Sequence, residues 1–343
     1  MDVNRNRTVG ITLLLLFAGI ILFFANILLG SVPISASAVF RIVFASGVTN
    51  ASWTTIILDS RLPMALTALL AGSALAVSGL LMQTMFRNPL AGPSVMGVTS
   101  GAGLGVALVV LLTGGVLSRY FFFANLSVIL AALVGAGTVI FLLIFLAGRV
   151  GNNVILLIIG LMIGYASSSL VSILQYFSTD QNLHAFVIWG MGSFAQVGWR
   201  EMYYFALVIL LALTAAVLLI KPLNLMLLGE NYAHNLGLNM RVNRLIVISV
   251  SGVLAAMVTA FCGPVAFVGI AVPHIVRNLY HSNDHRKILP GVILCGASFT
   301  LLCNLIARMP GVQGALPVNA ISSLIGAPIV IWVILRNRER SDA

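Results

Sequence analysis

A chain of 343 residues with 60% hydrophobic and 8% charged side chains, at a mean hydropathy of +1.10, cannot cover a water-soluble globule of its size, since soluble domains carry roughly 25% charge. Three cysteines and eight acidic residues exclude a disulfide scaffold, an acidic disordered chain and a cysteine-based zinc or iron–sulfur module. The net charge of +10 comes from singly scattered Lys and Arg, which excludes a nucleic-acid-binding patch and suits orientation in a bilayer.

A helix needs about 20 apolar residues to cross that bilayer, and ten segments qualify. The first, 9–29, precedes Ala36-Ser37-Ala38, which resembles a signal-peptide cleavage site. Its apolar run is longer than the roughly 7–15 residues of a signal core, so a retained spanning helix is expected. The second, 64–85, follows Arg61-Leu62-Pro63 and carries Ala68, Gly72 and Ala76 at fourth positions. The third, 94–113, has Gly97, Gly101 and Gly105 in the same register. The fourth and fifth are 122–147 and 153–176, the fifth with Gly160 and Gly164. These small-residue stripes let helix backbones approach, and intramolecular packing is the expected use, with a pathway lining or dimer seam as the alternative.

A short apolar helix over 183–191 is expected next, outside the membrane, where Trp189 is a candidate for gating the outer mouth. The sixth span is 202–220. The stretch from Leu245 to Val276 is free of charge but holds Gly263, Pro264 and Pro273, so it divides into spans 245–262 and 265–280. The last two are 288–307 and 317–335. Trp53, Trp189, Trp199 and Trp332 fall near predicted interfaces, as an aromatic belt requires. With both termini in the cytoplasm, thirteen of the eighteen basic residues lie inside, against Arg41, Arg61, Arg119, Arg200 and Arg308 outside. This is the positive-inside bias.

Two absences in the sequence bear on energy. The long charge-free intervals hold no Asp, Glu, Lys or Arg within the membrane, where an ion-coupled transporter keeps its titrating groups. A secondary transporter is disfavoured, although backbone and hydroxyl oxygens can bind sodium. A P-loop needs Gly-Lys, yet Lys221 and Lys287 follow Ile220 and Arg286, so the chain is not its own P-loop ATPase. Uphill transport would draw its energy from a partner. Cys262, Cys295 and Cys303 read as core residues, and His281 and His285 as loop residues rather than metal ligands. No polar cluster suggests catalysis or a metal site.

Three loop segments are more specific. One runs Met85-Phe86-Arg87-Asn88-Pro89-Leu90-Ala91-Gly92-Pro93-Ser94 into Val95-Met96-Gly97-Val98. Another is Leu228-Gly229-Glu230-Asn231-Tyr232-Ala233-His234-Asn235-Leu236-Gly237. The third is Gly263-Pro264-Val265-Ala266-Phe267-Val268-Gly269-Ile270, then Val272-Pro273-His274-Ile275-Val276-Arg277. With Leu324-Ile325-Gly326-Ala327-Pro328 and Arg61-Leu62-Pro63, these resemble the FecCD family over about 55–336, in the family's order. That family comprises permease subunits of ABC importers for iron–siderophore complexes, haem and cobalamin.

The resemblance implies an all-α polytopic permease of type II importer architecture. It would be a single transmembrane domain over 1–343 in the bacterial inner membrane, paired with a second permease copy. Two cytoplasmic P-loop ATPases would hold the ATP and Mg, leaving no cofactor in this chain, and an extracytoplasmic binding protein would deliver the cargo. A siderophore is the default cargo, with haem and cobalamin behind it. By the same resemblance, 228–240 holds the ATPase-coupling helix, with Gly229, Glu230, Ala233, Leu236, Gly237 and Arg241 as its residues. Arg244 would also be available to acidic groups on the ATPase, and Arg87, Asn88 and Pro89 form a second cytoplasmic motif. The alternative is an ordinary amphipathic loop. Arg61 and Arg308 match positions that receive carboxylates from the binding protein, as a planar guanidinium can; snorkelling at the interface is the other reading. The chain departs from the family pattern at Met64, Asn304 and Ala315, where arginine, aspartate and glutamate are common.

Overall fold

A computed structural model describes residues 2–44, 51–112, 124–150, 152–309 and 315–341, and every regular element among them is helical. Arg119 and the ends of the third and fourth expected spans that fall in 113–123 lie outside the described residues. Each of the ten expected segments is occupied by a helix. Among the described residues, seven helical runs are long and apolar enough to cross a membrane: Asn6–Leu28, Ala51–Phe86, Leu126–Ala147, Asn153–Tyr176, Trp199–Leu218, Met240–Cys262 and His285–Ala307. Val98–Leu112 and Val318–Trp332 are shorter apolar helices, and the eighth segment holds Val268–Tyr280, only 13 residues long.

The chain divides into two compact units, and helices α4 (Leu62–Phe86) and α9 (Trp199–Leu218) contribute to both. The first unit comprises Met1–Ala76, Ser193–Leu207 and Val265–Ala343. It holds α1 (Asp2–Leu28), α2 (Ala36–Phe44), α3 (Ala51–Thr55), α13 (Val268–Tyr280), α14 (His285–Ala307) and α15 (Val318–Ser341). Ala36-Ser37-Ala38 opens α2, with Ala38 buried. A π-helical turn, Ile56–Arg61, leads directly into α4. Small residues decide how α4 meets α14: a Cβ added to Gly72 or Gly296 would fall within the other's backbone. Thr300 Oγ1 donates to Ala68 O at 2.7 Å across the same seam. The same hydroxyl lies 3.0 Å from Gly296 O and 3.1 Å from Ala297 O of its own helix, so the link between the two helices leaves no buried polar group unpaired.

The second unit comprises Val77–Gly192 and Val208–Pro264. It holds α5 (Val98–Leu112), α6 (Ala124–Ala147), α7 (Asn153–Tyr176), α8 (Asp180–Gly190), α10 (Ile220–Leu227), α11 (Glu230–Asn235) and α12 (Met240–Cys262). The glycine stripes pack within the chain. A Cβ on Gly101 would lie 2.8 Å from Gly135 O, and one on Gly97 would lie 2.9 Å from Gly160 O. The 245–276 stretch breaks after Cys262: Gly263 has φ of 73° and Phe267 of 65°, left-handed conformations that no α-helix can pass through. Asn152, Asn239 and Asp284 cap the starts of α7, α12 and α14 by accepting from backbone N–H groups at 2.8, 3.1 and 3.0 Å.

Candidate functional site

The expected coupling segment and the Arg87 motif meet in the second unit. Helix α4 stops at Arg87, which takes φ of 49°; the side chain then turns back and donates Nη2 to Met226 O at 2.7 Å, near the end of α10. Asn88 Oδ1 accepts from Leu90 N at 2.9 Å, closing a tight turn around Pro89. Asn243 Nδ2 reaches Met226 from the other side, contacting its sulfur at 2.8 Å. The last turn of α10 is therefore held by the Arg87 motif and by Asn243 of α12.

Gly229 follows with φ of 119°, a conformation only glycine adopts without strain, and it sets the angle at which α11 leaves α10. At the other end, Leu238 N donates to Ala233 O at 3.0 Å and Gly237 N to His234 O at 2.9 Å. With Gly237 at φ of 86° this is a Schellman closure, which satisfies the carbonyls that a six-residue helix would leave open. A segment too short to be stable alone is thus fixed at both ends by glycine geometry, with Ala233 buried beneath it. Leu228, Tyr232, Leu236 and Val242 stand exposed around it, Tyr232 by 69%. Arg241 is exposed among them.

Glu230, the first residue of α11, accepts from Asn153 Nδ2 at 2.7 Å. Arg244 Nη2 lies 3.9 Å from the same carboxylate, and its Nη1 donates to Val150 O at 2.9 Å. Glu230 is 43% exposed, so this ion pair is worth little by itself; the hydrogen bond from Asn153 and the cap on Val150 carry the geometry. The expectation that Arg244 faces a partner is corrected: its side chain is 8% exposed and spent inside the chain. Asn153 and the carbonyls of Met226 and Val150 were not foreseen. The Asn152-Asn153 pair at the start of a span is the signal that could have found them, since such a doublet supplies one helix cap and one spare amide.

On the expected outer side, Arg61 and Arg308 part ways. Arg61 is 1% exposed. Its Nη1 donates to Ile27 O at 2.9 Å and Leu28 O at 2.8 Å, and its Nη2 to Val32 O. It caps the C-terminus of α1, where a fork of donors meets open carbonyls and a cation suits the dipole. A guanidinium committed in this way is not presented to a docking protein. Arg308, just past α14, is half-buried; burial first, and the nearby Arg61 charge second, lower its pKa. Met64 and Asn304 are buried and Ala315 exposed.

Trp189 ends α8 and is buried, so it does not join an exposed aromatic belt, whereas Trp332 is 54% exposed. Its ring tilts against Phe186 at 6.0 Å, and its Nε1 has no hydrogen-bond partner among the described residues. Gly263 lets the chain break pass beside it: a Cβ there would lie 2.5 Å from Trp189 O.

Comparison with known proteins gives a consistent picture. The sequence profile of the FecCD transport family matches residues 15–336. The haemin transport permease HmuU of Yersinia pestis is 36% identical over 332 residues, covering 95% of this chain and 97% of that protein. The vitamin B12 import permease BtuC of Escherichia coli is 37% identical over 282 residues, covering 81% and 83%. An inward-facing metal-chelate type ABC transporter superposes with a TM-score of 0.79 at 32% identity, covering 96% of this chain and 98% of that one.

Proposed function

From the premise that this chain belongs to the FecCD transport family, we infer that it is the permease through which an ATP-driven importer passes a metal chelate into the cytoplasm. It is a multi-pass inner-membrane protein and a transport component of an ABC importer. Membership of the family implies an ATPase and a binding protein as partners. In this reading ten crossings place both termini inside, and a second copy of the chain completes a path served by two ATPases.

The observation that carries the reading is α11. Four exposed apolar side chains, Leu228, Tyr232, Leu236 and Val242, surround a short helix locked at both ends. A rigid apolar ridge on a soluble face is the form of a docking element. The absence of a P-loop lysine from the sequence agrees, since the work must enter from a partner. Arg308 is the outer-face residue we assign to binding-protein docking, and Trp189 the residue we assign to the gate.

For the cargo we place haem- or cobalamin-class chelates ahead of a siderophore, because relatives named for haemin and for vitamin B12 match at 36% and 37% identity. Proteoliposomes containing the chain, its ATPase and its binding protein, offered haemin, cyanocobalamin and a ferric siderophore in parallel, test this. ATP-dependent accumulation of a tetrapyrrole supports it. Accumulation of the siderophore alone would overturn the cargo assignment, and accumulation without ATP would overturn the importer.

A further inference from the structure

Helix α11 is tied to α7 by a carboxamide. Asn153, the first residue of α7, points its Nδ2 at two acceptors, Glu230 Oε1 at 2.7 Å and Met85 O at 3.1 Å. Neither can donate when Glu230 is ionised, so the orientation of the amide is forced. Its Oδ1 is buried with no hydrogen-bond partner among the described residues. The side chain is therefore committed to its two acceptors, one on α11 and one at the end of α4. Arg244 runs parallel to it, from Glu230 to the Val150 carbonyl just before α7.

Beyond this junction two glycines of α7, Gly160 and Gly164, bring its backbone against that of the next segment. A Cβ on Gly160 would lie 3.0 Å from Met96 Cα, a tight approach, and one on Gly164 would lie 3.5 Å from Gly97 Cα, in ordinary contact. Contacts of this kind have no side chain that can yield, so a shift of α7 is passed to residues 96–97 and to the start of α5 rather than absorbed.

We propose that Asn153 is a positioning residue of the transport stroke, through which displacement of α11 is delivered to α7. The proposal rests on reading α11 as the ATPase-coupling element. Glu230 is the junction: it moves with α11, pulls Asn153 by a short charge-assisted bond, and is steadied by Arg244. Leu228, Tyr232 and Leu236 receive the ATPase, while Glu230 and Asn153 face the other way and pass its motion on.

The test uses the permease–ATPase complex in lipid nanodiscs, with spin labels on the exposed positions Met162 of α7 and Phe141 of α6. The distance between them is measured without nucleotide and after trapping with Mg-ATP and vanadate. The unsubstituted chain is expected to show two distinct distances. Asn153→Ala is expected to keep ATPase binding and ATP hydrolysis while the two distances merge and transport per ATP falls about tenfold, the loss of one such bond. Asn153→Gln, which retains the donor, should recover part of the shift. Glu230→Ala should also merge the distances, and adding Asn153→Ala to it should change nothing further, since both cut one route. A full nucleotide-dependent shift in Asn153→Ala overturns the proposal, as does a single distance in the unsubstituted chain. Leu236→Asp separates the two readings: failure to release the ATPase removes α11 as the coupling element, irrespective of Asn153.

Discussion

Asn304 Nδ2 lies 2.8 Å from Asn26 Oδ1, and both side chains are buried between α14 and α1. Asn26 spends its own amide protons on Leu22 O at 2.8 Å and Leu301 O at 3.0 Å. The Asn26 oxygen therefore needs a donor at position 304, which explains why an amide stands where aspartate was the expected residue. Asn304→Asp would set a carboxylate against the Asn26 oxygen. A loss of about 1–3 kcal/mol of stability is expected, read as a lowered midpoint of thermal unfolding in detergent, with Asn304→Leu of similar size.

Arg61 caps α1, so its loss should appear as instability rather than as failed docking. Arg61→Ala leaves the carbonyls of Ile27, Leu28 and Val32 unpaired, at a cost of at least about 2 kcal/mol. Arg61→Lys should recover only part, because an ammonium lacks the planar fork. Titration of the binding protein onto nanodisc-held permease checks the separation: Arg308→Ala weakens binding, and Arg61→Lys leaves it unchanged.

The seam between α4 and α14 should not tolerate a side chain. Gly72→Val or Gly296→Val drives a branched carbon into opposing backbone, and overpacking here should cost about 3 kcal/mol or more. Gly10, with open space around it, is the control: Gly10→Ala should be neutral. Yield of monodisperse protein after membrane extraction distinguishes them.

On α11, burial sorts the expected effects. Leu236→Asp and Tyr232→Asp place charge on the exposed ridge and should weaken ATPase association about tenfold or more without unfolding the permease. Ala233→Leu instead overfills the buried side and should lower stability. Size-exclusion chromatography of the permease with its ATPase, beside a thermal scan of the permease alone, checks the contrast.

Trp189 is buried against Phe186 at the end of α8. Trp189→Glu is expected to abolish uptake while leaving ATPase association intact, and Trp189→Phe to preserve it. Unchanged uptake in Trp189→Glu would remove the gate assignment.

The helices and the break at Gly263 could be read from the sequence because hydropathy and the Gly-Pro pair act locally. The glycine stripes announced close packing but not their partners: Gly101 meets Gly135, a pairing no spacing rule supplies. The 228–237 segment stood out through its motif, and its glycine ends through their conformational demand. Arg61 and Arg244 were misplaced for one reason. An arginine near a span end looks outward by default, yet both turn inward to carbonyls left open by other elements, Leu28 and Val150. Asn153 was missed because an amide beside a helix start usually serves only as a cap, and its use depends on Glu230, 77 residues away.

The apolar ridge of Leu228, Tyr232, Leu236 and Val242 has a bearing on how a cell must make this protein. Inserted in the bilayer before its ATPase arrives, the chain would show water a greasy knob that quality-control proteases and chaperones recognise. Orphan copies should be short-lived, and turnover should slow sharply when both subunits are synthesised together. As the proposed seat of the ATPase, the ridge would tie the abundance of the permease to that of its motor without any dedicated regulator.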